Sequence, residues 1–161
     1  MKTVSIISII YGALGFMWAL FVLFAIGIQH AILEHIPIPD EALKYVDIPK
    51  VLDTLHGILT LLVPFVFFIG LIYIVSGVLG LNGKTQASTF GMLAAVFNII
   101  WYVAYIVILQ VDLVPLIKLD DLFPSKLFHY MFLLGTLVNA VFYCAYPIFL
   151  IVYLSQGRKR T

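Results

Sequence analysis

The chain has 161 residues, 63% of them hydrophobic and 11% charged, against roughly 45–50% apolar and ~25% charged in soluble domains. That balance excludes a water-soluble globule, and a net charge of +1 offers no basic surface for nucleic acid. Stretches free of Asp, Glu, Lys and Arg run from Thr3 to Leu33, Thr54 to Gly83, Thr85 to Val111 and Leu127 to Gly157, and they leave no room within the chain for a soluble catalytic domain.

A hydrocarbon core of ~30 Å needs about 20 apolar residues at ~1.5 Å each, and every stretch exceeds that. The expectation is an all-α, polytopic membrane four-helix bundle with up-down-up-down topology. Its spans are placed at residues 4–29, 54–81, 87–110 and 128–155. The first apolar run is too long for the ~7–15 residues of a signal-peptide core, so it is read as an uncleaved helix.

Lipid gives helices no hydrophobic reason to associate, so small residues and interhelical hydrogen bonds must do so. The first helix carries Ser5, Ser8, Gly12, Gly15 and Ala19 along one face. In the outer loop that follows, Pro37 and Pro39 impose an extended path, and Pro49 suits the first turn of the second helix. Inside that helix Pro64 is expected to free a backbone carbonyl, with Thr60 placed to answer it. Gly70, Tyr73, Gly77 and Gly80 repeat the small-residue rhythm. Counted from the inner ends in antiparallel sense, Ser5 is level with Gly80, Ser8 with Gly77 and Gly12 with Tyr73, which predicts close packing of the first two helices.

Asn82-Gly83-Lys84-Thr85-Gln86 reads as a tight turn into the third helix. That helix shows Gly91, Ala94, Asn98, Tyr102 and Tyr105 on one face. The second outer loop, Val111 to Lys126, alternates apolar residues with Asp112, Lys118, Asp120 and Asp121. This suits a short amphipathic segment on the outer membrane surface or a loop packed over the bundle. The fourth helix carries Gly135, Asn139, Tyr143 and Tyr146. The same depth count predicts crossed contacts of Asn98 with Tyr146 and of Asn139 with Tyr105. The seam formed by Asn98, Tyr102, Tyr105, Asn139, Tyr143 and Tyr146 has two readings: structural glue, or a site for a quinone, a pigment or a lipid headgroup.

Sorted by side, Lys2, Lys84, Arg158, Lys159 and Arg160 share one face with no acid, and every acid falls on the other. The positive-inside bias then places both termini in the cytoplasm of a cell (inner) membrane, with the terminal Arg-Lys-Arg as a topology anchor. No Asp, Glu, Lys or Arg lies within a span, whereas proton relays, ion-coupled carriers and voltage sensors require ionisable groups there. His30, Glu34, Asp53, His56 and His129 gather near the outer helix ends. Imidazole with carboxylate suits zinc, copper or iron, but the spacing matches no tight metal motif, and the same residues suit interfacial anchoring or a pH-sensitive rim. Ser5 and Ser8 are far from every histidine, Cys144 sits inside the fourth span, and no phosphate-binding loop is present.

The layout resembles small four-span membrane proteins in general and carries no motif of one family. The expected function is that of a membrane protein without enzymatic activity. It would act as an accessory, scaffold or assembly subunit of a membrane complex, or as a small homo-oligomer in the lipid bilayer, with no cofactor. The alternative is an outward-facing protein that binds metal, haem, quinone or lipid.

Overall fold

A computed structural model describes residues 2–33, 48–116 and 125–158, and these are helical apart from the turn at 82–85. Helix α1 spans Lys2–Leu33, α2 Ile48–Leu81, α3 Gln86–Ile108 and α4 Ser125–Arg158. Four segments, Lys2–Ile28, Pro49–Leu81, Gln86–Leu116 and Tyr130–Gln156, are long and apolar enough to cross a membrane. Pro49 lies in the first turn of α2, where a missing N–H removes no intrahelical bond.

The turn between α2 and α3 follows from Gly83, whose φ of 68° is left-handed and strained for any residue with a Cβ. Lys84 N–H donates to the Leu79 carbonyl at 2.9 Å and Gly83 N–H to the Gly80 carbonyl at 3.2 Å, the paired bonds of a Schellman cap. Past the turn, Ser76 Oγ donates to the Ala87 carbonyl at 2.9 Å and Trp101 Nε1 to the Leu62 carbonyl at 3.2 Å, so the two helices are tied near the turn and again far from it. Leu62 lies in the turn that contains Pro64. The carbonyl that Pro64 frees is that of Thr60, four residues earlier, so the indole bond to Leu62 does not answer it, and the expected helper, the Thr60 side chain, is exposed.

At its far end α3 runs on beyond the expected limit of 110, first as a π-helical turn over Leu109–Leu113 and then as a 3₁₀ turn over Val114–Leu116. Pro115 is the local cause, because its ring crowds the carbonyl four residues earlier, Val111, inside the widened turn. Of the rest of the expected amphipathic segment, residues 117–124 lie outside the described residues, and Ser125 and Lys126 open α4.

Packing is closest between α1 and α2, and α3 then joins α2 to α4. The buried core centres on Ile58, Leu62, Ile69 and Tyr73 of α2 and on Ala94, Ala95, Trp101 and Tyr102 of α3, with Leu150 of α4. Side chains such as Ile10, Phe24, Phe68, Ile100 and Val141 stand exposed on the outer faces, an arrangement that suits lipid and would be an aggregation hazard in water.

Candidate functional site: the α1–α4 seam and its cavity

On α1, glycine spacing brings backbone against backbone. A Cβ placed on Gly12 would lie 2.5 Å from the Gly70 carbonyl oxygen and 2.9 Å from Tyr73 Cβ. One placed on Gly77 would lie 2.5 Å from the Ser5 carbonyl oxygen, and Gly80 is overlain by the Ser5 side chain. Gly15, on the same stripe, is different: a Cβ there meets only Val66 Cγ1, at 4.0 Å. The stripe therefore closes toward the N-terminus of α1 and opens beyond Gly12.

α1 and α4 meet in another way. Their backbones rarely approach each other, and tyrosines cross the gap. Pro147 of α4 has no N–H, so the carbonyl four residues earlier, that of Tyr143, has no intrahelical partner. Tyr11 of α1 fills that vacancy, its hydroxyl donating to the Tyr143 carbonyl at 2.9 Å. The same hydroxyl accepts from Asn98 Nδ2 at 2.9 Å. Nearer the N-terminus of α1, Ser8 Oγ and Tyr146 Oη lie 2.6 Å apart, and Tyr146 Oη also donates to the Val4 carbonyl at 3.4 Å. The rings pack together, Tyr11 lying edge-on to Tyr73 at 5.1 Å and tilted against Tyr146 at 4.8 Å.

These contacts correct the expected α3–α4 pairing. The phenol partner of Asn98 is Tyr11 of α1, and that of Ser8 is Tyr146; Asn98 does not bond Tyr146. Tyr105 stacks on Trp101 at 5.5 Å, and Asn139 is exposed with no hydrogen bond to Tyr105. Tyr102 does join α3 to α4, donating to the Thr136 carbonyl at 2.9 Å and stacking on Tyr143 at 5.5 Å. Tyr11 lies off the small-residue stripe of α1 and has no signal of its own in the sequence; the signal is Pro147, which leaves the Tyr143 carbonyl in need of a donor.

Between α1, α2, α3 and α4 the wider spacing leaves a cavity of about 600 Å³, within the range of small-molecule sites. α1 lines it with Tyr11, Leu14, Gly15, Met17, Trp18 and Phe21. Val66, Ile69, Gly70 and Tyr73 of α2 form the floor, and Asn98, Trp101 and Tyr143 complete the far wall. Leu14, Met17 and Phe21 are 60%, 65% and 68% exposed, so the mouth opens on the outer surface of the bundle. Tyr73 is 1% exposed, and its hydroxyl finds no hydrogen-bond partner among the described residues. The Asn98 amide is beside that hydroxyl, but its bond goes to Tyr11.

The outer rim is described only in part. Asp53 and His56 lie exposed on the first turns of α2. Glu34 is outside the described residues, as are the side chains of His30 and His129. Among the described residues, no three His, Cys, Asp or Glu side chains converge on a point that could hold a metal ion. Compared with protein-family models, curated proteins and solved structures, the chain matches none.

Proposed function

We propose that the chain is an integral protein of a cell (inner) membrane, up-down-up-down with both termini cytoplasmic. It acts through lateral association rather than catalysis, as an accessory, scaffold or assembly subunit of a membrane complex or as a small homo-oligomer. The observation that supports this is Asn139. It lies near the middle of the span Tyr130–Gln156, is exposed, and makes no side-chain hydrogen bond among the described residues. A primary amide facing hydrocarbon is unfavourable until it finds a partner, and a second transmembrane helix is the natural source. One helical turn away on the same side, Gly135 has nothing within 4 Å of an added Cβ, which leaves room for another helix to come close.

Asn139→Leu tests this reading. The wild type is expected to associate with itself or a membrane partner in native mass measurement from mild detergent. The variant is expected to lose that association while its thermal unfolding stays unchanged, at a cost of about 0.5–2 kcal/mol for the interhelical bonds. A wild type that is monomeric and free of partners, or an Asn139→Leu assembly identical to the wild type, overturns it. A second reading, binding of a membrane lipid, is favoured by the cavity beside Gly15.

A further inference from the structure

We infer that the cavity between α1 and α4 holds the hydrocarbon chain of a bilayer lipid. The inference deepens the lipid-binding reading and is independent of lateral association, because Asn139 does not line the cavity.

Position sets the source. The lining of α1 runs from Tyr11 to Phe21, about 15 Å at the helical rise, in the middle of the span Lys2–Ile28. The mouth is formed by Leu14, Met17 and Phe21, which face what would be lipid, so a molecule enters from the hydrocarbon and not from water. Lining chemistry sets the class. No Asp, Glu, Lys, Arg or His contributes to the wall, so a phosphate or ammonium group would be buried without a counter-charge.

A carbonyl-bearing head such as a quinone ring gains little, because most donors around the cavity are already engaged. Tyr11 Oη donates to the Tyr143 carbonyl, Asn98 Nδ2 to Tyr11 and Trp101 Nε1 to the Leu62 carbonyl. Of the other two hydroxyls in the wall, that of Tyr73 is sealed from the surface, and that of Tyr143 is a single donor in an otherwise apolar lining. What the space accommodates is an unfunctionalised chain, gripped by Trp18 and Trp101, whose rings meet edge-on at 6.3 Å. Gly15 leaves the volume open.

The test uses the protein's own reporters, since its two tryptophans, Trp18 and Trp101, both line the cavity. Phosphatidylcholine brominated in mid-chain is titrated into the detergent-purified full chain, and tryptophan emission is followed. Saturable quenching is expected in the wild type. Gly15→Leu places a side chain in the cavity, clear of the close Gly12–Gly70 approach, and is expected to lose the saturable phase, whereas Val138→Leu on an exposed face of α4 keeps it. Quenching that rises linearly without saturating, or saturation unchanged in Gly15→Leu, overturns the inference. The wild type alone also decides: aqueous acrylamide that quenches as strongly as the brominated chain means the cavity holds water, and the inference fails whether or not Gly15→Leu folds.

Discussion

The two flanks of α1 solve the same problem in opposite ways. Toward α2, helices touch because side chains are missing: Gly12, Gly70 and Gly77 bring carbonyl oxygens within 2.5–2.8 Å of where a Cβ would stand. Toward α4, helices are linked because side chains are present: Tyr11 reaches the Tyr143 carbonyl and Tyr146 reaches Ser8 across a gap wide enough to leave a cavity of about 600 Å³ beside them. Contact through absence tolerates no added volume. Contact through tyrosines tolerates volume but not the loss of a hydroxyl.

The largest effect that would break this contrast comes from Gly12→Leu. It drives a branched side chain into the Gly70 carbonyl and is expected to destabilise by about 3 kcal/mol, read by thermal or detergent-induced unfolding. The same change one turn on, at Gly15, is expected to leave the unfolding midpoint near that of the wild type. If the two variants behave alike, the α1–α2 seam is not closed by Gly12 in particular.

Tyr11→Phe should come next, at about 1–2 kcal/mol for leaving the Tyr143 carbonyl and an Asn98 N–H unpaired in a dry site. Its cause is separable. Pro147→Ala restores a backbone N–H to bond the Tyr143 carbonyl, so Tyr11→Phe is expected to cost less in that background, and a double-mutant cycle measures the coupling. Additive effects would mean that Tyr11 does not answer the proline.

The smallest effect belongs to Tyr73→Phe. Its hydroxyl is buried without a partner among the described residues, so removing it is expected to be neutral or stabilising. Of two tyrosines in ring contact, unfolding measurements should therefore find one needed for its hydroxyl and the other only for its ring.

The spans and the α1–α2 seam were legible in the sequence, because apolar length and a small-residue stripe are properties of single helices, and a depth count suffices to set Gly12 against Tyr73. The polar seam was legible only in part: Asn98, Tyr143 and Tyr146 belong to it, whereas Asn139 is exposed and Tyr11 lies outside the expected set. Periodicity shows that Asn98 and Tyr146 lie on inward faces, but not which of two neighbours a face meets, and α1 intervenes where α3 and α4 were expected to pair directly. Asn139 was misplaced for a geometric reason. Successive steps of four residues each advance about 40° around a helix of 3.6 residues per turn, so from Tyr143 through Asn139 to Gly135 the stripe rotates by about 80°. The buried line runs instead through Thr136, Ala140, Tyr143 and Pro147, which are partly or fully buried.

The bond from Tyr11 to the Tyr143 carbonyl also imposes an order of events. Tyr11 emerges during synthesis long before Pro147, and Asn98 between them, so α1, α2 and α3 can settle with the Tyr11 hydroxyl held by Asn98 alone. Its own proton has no acceptor in α4 until α4 packs against α1. Only then is the ring of helices closed, and the proline that weakens α4 becomes the latch by which the earliest helix recognises the latest.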